Sequence, residues 1–98
     1  MDDAAHLFSA YFYEGWDDYE YDTWESATDD FARRSPDRVA GAIRDITVLL
    51  DQVKDQDELG VRLRDLGCAF APTDGDRAWL TQLVAHLGHA LDGPERAI

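Results

Sequence analysis

Residues 14–30 read EGWDDYEYDTWESATDD and contain eight carboxylates, two tryptophans and two tyrosines, with no Lys or Arg. Carboxylates at this density could chelate a cation, act as general acid and base, or contact a positively charged partner. Aromatic rings favour burial, whereas clustered like charges repel one another and favour water. We therefore expect the segment to be partly packed against the protein and partly available for binding.

A calcium-binding loop is the most specific of these alternatives. Asp18, Glu20 and Asp22 alternate as EF-hand ligands do, and Asp29 would occupy the twelfth position. Thr23, however, stands at the sixth position, where the sharp turn requires Gly, and the twelfth ligand of an EF-hand is a bidentate Glu. We therefore expect no EF-hand, and weak binding of a divalent ion is the alternative that is left.

The other candidates for chemistry are His86, His89 and Cys68. The two histidines lie three positions apart, but a zinc site normally needs a third protein ligand, and no matching His or Cys pair occurs elsewhere. Cys68 lies in an apolar context that is typical of a buried, unreactive thiol. There is no Gly-rich phosphate loop, and no pair of carboxylates stands out as acid and base. We expect a protein that is not an enzyme and holds no metal or cofactor.

The negative charge is concentrated at one end of the chain. Residues 1–32 contain ten of the 21 acidic side chains and none of the nine Lys and Arg, and the formal net charge is −12. Nucleic acid and anionic membranes are disfavoured as partners, because both are bound through Lys and Arg. A basic protein or a cation is favoured, and self-repulsion favours a monomer.

Length and composition predict a single domain over residues 1–98. A hydrophobic fraction of 45% suffices for a packed core and argues against disorder. The N-terminus lacks the basic and apolar regions of a signal peptide, and no apolar run approaches the ~18 residues needed to cross a bilayer. We expect a cytoplasmic protein.

Hydrophobic periodicity predicts an all-α fold, a compact bundle of about five helices with an acidic aromatic loop between the first two. The first helix covers about residues 3–13 and ends at Gly15. The second opens with a capping box formed by Asp22 and Glu25. The acidic segment therefore forms the turn between these two helices.

The remaining three helices have clear boundaries in the sequence. The third has Ser35 as its N-cap and Pro36 as its first residue, and one continuous apolar stripe makes it the central core helix. The fourth covers about residues 56–66, and Gly67 is placed to close it in a left-handed conformation. The fifth begins near Asp76, carries the apolar residues Leu80, Leu83, Val84, Leu87 and Leu91, and stops at Gly93 and Pro94.

The aromatic residues of the acidic segment divide into two groups. A chain this short cannot leave its largest apolar side chains outside the core, so the tryptophans are assigned to packing. Tyr19 and Tyr21 alternate with acids, which would place phenols on one side of the loop and carboxylates on the other. Exposed tyrosine is a preferred interface residue, and the loop would fit a groove lined by Lys and Arg. The predicted partner-binding residues are Asp17, Asp18, Tyr19, Glu20, Tyr21, Asp22, Glu25, Asp29 and Asp30.

Two segments, YFYEGWDDYEYDTWESATDDFARRSP and LRDLGCAFAPTDGDRAWLTQLVAHL, resemble the small helical immunity proteins of bacterial contact-dependent growth inhibition systems. The family pattern has an aromatic Y-F/L-x-x-x-W motif and an acidic stretch before a helix that ends in Phe. An L-G-C turn then leads through Pro to a W-L helix. The matching residues are Tyr11, Phe12, Trp16, Asp17, Phe31, Leu66, Gly67, Cys68, Pro72, Trp79 and Leu80.

The resemblance covers about residues 7–91 and implies an inhibitor that binds the C-terminal toxin domain of a large secreted effector in the cytoplasm. Many such toxins are nucleases with basic clefts, which suits the acidic segment. The abundance of Tyr and acid between Trp16 and Trp24 departs from the family pattern, so the segment either follows the family or is specific to one toxin. The residues assigned to the fold are Tyr11, Phe12, Trp16, Trp24, Phe31, Gly67 and Trp79.

Two other functions remain open at this point. An acidic DNA mimic or regulatory protein could use the same surface to bind a nucleic-acid-binding host protein. A homodimeric structural helical protein is the third reading. Gene neighbourhood separates the first two, because an immunity gene lies next to a toxin gene and a regulator need not.

Overall fold

The computed structural model describes residues 2–16, 21–72 and 74–92, and these residues form helices and connections without a strand. The helices are α1 Asp2–Tyr11, α2 Trp24–Arg34, α3 Val39–Gln52, α4 Gln56–Asp65 and α5 Asp76–Asp92. A short 3₁₀ helix, Pro36–Arg38, joins α2 to α3. The prediction of an all-α bundle of five helices is confirmed.

Helix α2 begins one residue later than the predicted capping box requires. The N-cap is Thr23, which is extended and accepts a hydrogen bond from the Ser26 N–H at 3.1 Å. Glu25 is then the second helical residue, whereas a capping box needs its acid at the third. The predicted pairing of Asp22 with Glu25 is therefore wrong, because the Thr23 hydroxyl takes the cap one position nearer.

The predicted start of the third helix is also wrong. Ser35 makes no side-chain cap, and its N–H bonds to the Phe31 carbonyl oxygen at 2.8 Å, so it closes α2. Pro36 opens a 3₁₀ turn, and the α-helix starts only at Val39. Ser35 is the only residue between α2 and the 3₁₀ turn, so it ends α2 and cannot also cap a helix that follows.

Helix α3 lies at the centre of the bundle and packs against α1 and α5. Of the predicted stripe Val39, Ile43, Ile46, Leu50 and Val53, the first, third and fifth residues are buried and the other two are half-buried. Ala42 and Leu49 are also buried and widen the inward face of the helix. Around it lies an aromatic cluster, in which the Trp79 ring is 5.2 Å from Phe12 and 5.0 Å from Phe70. Such edge-to-face pairs add to the energy of area burial.

Polar contacts fix the ends of the helices that pack on α3. The Ala4 N–H of α1 donates to the Asp45 carboxylate at 3.2 Å. The Arg77 guanidinium of α5 donates to the Leu50 carbonyl oxygen at 3.0 Å and also to that of Val53. These bonds satisfy backbone groups that a helix end leaves without partners.

The turn after α4 follows the sequence prediction. Gly67 has a φ of +96°, the left-handed conformation expected of it. A Cβ atom at Gly67 would lie 2.6 Å from the Cβ of Ser9, so this glycine also lets α1 approach the turn closely. The next residue, Cys68, is buried, and burial raises the pKa of its thiol to about 11.

The apolar residues that periodicity assigns to α5 are not all buried. Leu80, Leu83 and Leu87 are buried, but Leu91 is 46% exposed. Helix α5 has 17 residues and a length of about 25 Å at ~1.5 Å per residue, so it exceeds the helices packed on it. No described helix among residues 2–92 combines the length and apolar character that crossing a membrane requires.

Candidate partner-binding surface

Five of the nine predicted partner-binding residues belong to the described part of the chain. They are Tyr21, Asp22, Glu25, Asp29 and Asp30. Asp17, Asp18, Tyr19 and Glu20 lie outside the described residues. The structure therefore describes the part of the acidic segment that leads into α2 and forms its first turns.

Asp30 makes its contacts inside the protein. Its side chain is only 6% exposed, and its Oδ2 atom accepts the Tyr21 hydroxyl at 2.5 Å. Arg33 bonds the other carboxylate oxygen, and Arg34 pairs with Oδ2 at 3.2 Å. The Tyr21 hydrogen bond, followed by the charges of Arg34 and Arg33, holds the pKa of Asp30 below its ordinary value although burial opposes this. Asp30 is ionised at neutral pH, and its charge is neutralised locally.

Tyr21 is held against the core by the same arrangement. Its ring is half-buried and lies 6.3 Å from the ring of Tyr11. Tyr11 packs edge-on against Phe31 at 5.6 Å, so these rings form a row from the surface to the core. The Tyr21 hydroxyl and ring thus fasten the end of the acidic segment onto α1 and α2.

Three acids remain exposed and form the surface called here the acidic face: Asp22, Glu25 and Asp29. Glu25 and Asp29 lie four residues apart on α2 and therefore share one side of the helix. Asp29 is 64% exposed and reaches across to α5, where its Oδ1 atom lies 2.7 Å from Nε2 of His86. The acidic face thus consists of Asp22, which precedes α2, and two α2 carboxylates, one of which contacts an imidazole of α5.

A half-buried tryptophan borders the acidic face. Trp24 packs edge-on against His86 at 5.4 Å and against Trp79 at 6.3 Å. A cavity of about 160 Å³ opens beside it, lined by Trp24, Phe70, Pro72, Asp74, Trp79 and Gln82. The Trp79 indole N–H is buried and has no acceptor among the described residues. An aromatic side chain of this kind, next to charges, is a frequent energetic centre of protein interfaces.

The residues assigned to the fold lie at or near the core. Tyr11, Phe12, Trp16, Phe31 and Trp79 are all buried, with Tyr11 at 7% exposure the most accessible. Trp24 is only half-buried, so it belongs both to the packing of α2 on α5 and to the surface. Gly67 supplies the left-handed turn described above.

Sequence reasoning did not find the residues that complete this surface. Phe70, Asp74 and Gln82 come from the connector and from α5, far from the acidic segment in the chain. No pattern in the sequence places them beside Trp24. The spacing of the sequence pairs His86 with His89, whereas the partner of His86 in the fold is Asp29. Within the described residues, no three His, Cys, Asp or Glu side chains gather as they would around a metal ion.

Comparison with known proteins gives one result. A family model described as "CdiI immunity protein" matches residues 3–87, which is most of the chain and includes all five helices up to the last turns of α5. No curated protein and no solved structure matches the chain significantly.

Proposed function

The chain belongs to the CdiI immunity protein family, a family of toxin-neutralising proteins, and we propose that it binds a basic toxin domain and blocks it by occlusion. No chemical step by the inhibitor is needed, because covering a cleft prevents substrate from entering. The observation that carries the proposal is the acidic face beside a half-buried tryptophan. We place this activity in the cytoplasm, with the free inhibitor a monomer.

Charge supports a basic partner. Exposed carboxylates on a chain with a formal charge of −12 attract a basic cleft and speed encounter by about ten- to a thousandfold at low salt. Asp22, Glu25 and Asp29 are exposed before and on α2, and Asp17, Asp18 and Glu20 belong to the same acidic run in the sequence. A nuclease-type toxin, whose cleft must attract phosphates, is the class of partner that this distribution fits.

Asp30 and Tyr21 take a different role in this proposal. Because Asp30 is neutralised by Arg33 and Arg34, it offers little net charge to a partner. Its bond to Tyr21 fixes the end of the acidic segment before binding. A surface that is already ordered loses less conformational entropy in the complex. Asp30 and Tyr21 thus act as positioning residues.

Trp24 provides the apolar centre. Hot-spot residues are commonly Trp, Tyr or Arg, and they lie in well-packed surroundings within a ring of polar contacts. Trp24 fits this description because Trp79 and His86 support its ring and Glu25 follows it in the sequence. Basic side chains of the toxin would pair with the acids around it.

The test uses the full chain and the toxin domain encoded by the neighbouring upstream gene. We expect a one-to-one complex and loss of toxin activity. A double charge reversal, Asp22→Lys with Glu25→Lys, should slow association by at least about tenfold at low salt. The matched control reverses Asp37 and Asp51, which are exposed on the 3₁₀ turn and at the end of α3 and make the same change in net charge.

Equal effects of the two double variants would mean that only net charge matters and that the acidic face is not the interface. Absence of any complex with the toxin domain would contradict the proposed function itself. Capture of a nucleic-acid-binding regulator instead would favour the DNA-mimic alternative, since the same acidic surface would serve it.

A further inference from the structure

A groove runs between α4 and the connector that leads to α5. It consists of two adjoining cavities of about 530 and 500 Å³ that share the lining residues Gly60, Arg64, Ala71 and Asp76. One end of this α4 groove lies at Glu14 and the other at Asp57. The two cavities therefore form one continuous groove, which suits a chain segment that passes from one to the other.

Gly60 keeps the floor of the α4 groove open. It lies inside α4, where a glycine costs roughly 0.5–1 kcal/mol relative to alanine. A Cβ atom there would approach only Asp76 Oδ2 at 3.2 Å and Arg64 Nη2 at 3.7 Å, the ends of flexible side chains. Packing inside the protein thus does not require the glycine. A glycine at this position would instead allow the backbone of another chain to approach α4 closely.

The charge of the α4 groove is negative. Three carboxylates line it, from Glu14, Asp57 and Asp76, against the single guanidinium of Arg64. Glu14 and Asp57, at its two ends, are exposed. This arrangement complements a segment that carries Lys or Arg and also offers one guanidinium to its carbonyl oxygens.

The α4 groove adjoins the cavity beside the acidic face. Phe70 lines both the groove and the Trp24 cavity, and so does Pro72. Glu14 opens the acidic segment itself. A partner seated on Trp24 and the acidic face can therefore continue into the groove without crossing a gap.

The size of protein interfaces supports this extension. A stable complex buries about 800 Å² and about 20–30 residues on each side. The acidic face and the cavity beside Trp24 together supply fewer residues than such an interface contains. We propose that the α4 groove is the second part of the toxin interface and that a basic, extended segment of the toxin domain occupies it. This inference rests on the function proposed above.

Two neighbouring acids provide a matched test. Asp57 and Glu58 are both exposed in the first turn of α4, but only Asp57 lines the groove. Asp57→Lys and Glu58→Lys have the same effect on net charge and nearly the same effect on the helix dipole. We expect Asp57→Lys to weaken toxin binding by at least about tenfold and Glu58→Lys by less than about threefold. Equal affinities of the two variants would overturn the proposal.

A second pair of variants tests the groove by shape. Gly60→Gln would project a side chain from the floor, whereas Gly88→Gln on α5 projects one where nothing lies within 4 Å. Both replace a helical glycine and should raise the melting temperature or leave it unchanged. We expect only Gly60→Gln to weaken toxin binding, by at least about tenfold. Unchanged affinity of a folded Gly60→Gln variant would also overturn the proposal.

The two levels of inference fail differently. If the wild-type chain does not bind the toxin domain, the proposed function is wrong and the α4 groove proposal falls with it. If the wild type binds and the acidic-face variants weaken binding while the groove variants do not, the function stands and the groove is not part of the interface.

Discussion

The Tyr21 hydroxyl lies 2.5 Å from Oδ2 of Asp30 and joins the end of the acidic segment to α2. This bond makes two residues of the segment part of the fold, whereas Asp22, Glu25 and Asp29 stay exposed. The bond anchors the C-terminal end of the acidic segment to the folded protein. Asp30 contacts Arg33, Arg34 and the Tyr21 hydroxyl, and the Tyr21 ring packs on Tyr11. Among the other acids of the segment that the structure describes, Glu14, Asp22, Glu25 and Asp29 are exposed.

Removal of the Tyr21 hydroxyl should destabilise the protein. In Tyr21→Phe the ring still packs on Tyr11, but the Asp30 carboxylate loses one donor. Hydrogen bonds to charged groups contribute about 1.5–3 kcal/mol, so we expect the free energy of unfolding in urea to fall by that amount. The control is Tyr13→Phe, because the half-buried Tyr13 makes no hydroxyl hydrogen bond within the described part of the chain. Equal losses in the two variants would show that the Tyr21 bond contributes nothing specific.

Acid should remove the contribution of Asp30. Its pKa is lowered in the folded protein, so its stabilising effect is fully present above the unfolded value of about 3.9 and is lost as the pH falls through the folded value. Asp30→Asn lacks this titration. The difference in unfolding free energy between wild type and Asp30→Asn should be constant from pH 7 to about 5 and should shrink below about pH 4. Urea unfolding at a series of pH values measures it, and a difference that persists unchanged at pH 2 would contradict the prediction.

Features that depend on local chemistry could be predicted from the sequence. The apolar stripe of α3 and the left-handed Gly67 follow from spacing and from the absence of a side chain, and both are present. Boundaries that depend on competition between neighbours could not. Thr23 and Asp22 are both good caps, and in the fold the Thr23 hydroxyl accepts the Ser26 N–H.

The candidate surface shows the same limit. The acidic segment is evident in the sequence, but charge spacing does not reveal that Asp30 is buried between two arginines. The contacts of His86 with Asp29 and Trp24 join helices that are distant in the chain. Leu91 fits the periodicity of α5, yet it lies beyond the helices that pack on it. Such relationships arise only when the helices are assembled.

Replacement of Gly67 by alanine should destabilise the protein more than the same replacement at Gly75, which has a similar backbone conformation. Both Gly67 and Gly75 have positive φ, so alanine at either costs about 1–2 kcal/mol of backbone strain. At Gly67 the new Cβ would also lie 2.6 Å from the Cβ of Ser9, whereas at Gly75 it meets the end of the exposed Gln56 side chain. We expect the free energy of unfolding in urea to fall by about 2–4 kcal/mol in Gly67→Ala. In Gly75→Ala it should fall only by the backbone strain of about 1–2 kcal/mol. Equal losses would mean that α1 moves away from the turn without cost.

Asp29 should separate stability from binding. Its carboxylate is 64% exposed and pairs with His86 on the surface, and such pairs contribute less than about 1 kcal/mol. Asn at this position keeps a hydrogen-bonding oxygen for the imidazole and removes only the charge. We therefore expect Asp29→Asn to unfold within about 1 kcal/mol of the wild type while its affinity for the toxin domain falls by about tenfold or more.

The matched variant for Asp29 is Asp37→Asn, which removes one exposed charge on the 3₁₀ turn and should change neither quantity appreciably. Calorimetric titration with the toxin domain gives the affinities, and urea unfolding gives the stabilities. A large loss of stability in Asp29→Asn would show that the pair with His86 holds α2 to α5. Unchanged affinity would place the contact elsewhere on the chain, since a charge of the acidic face cannot be removed without effect if a basic cleft covers it.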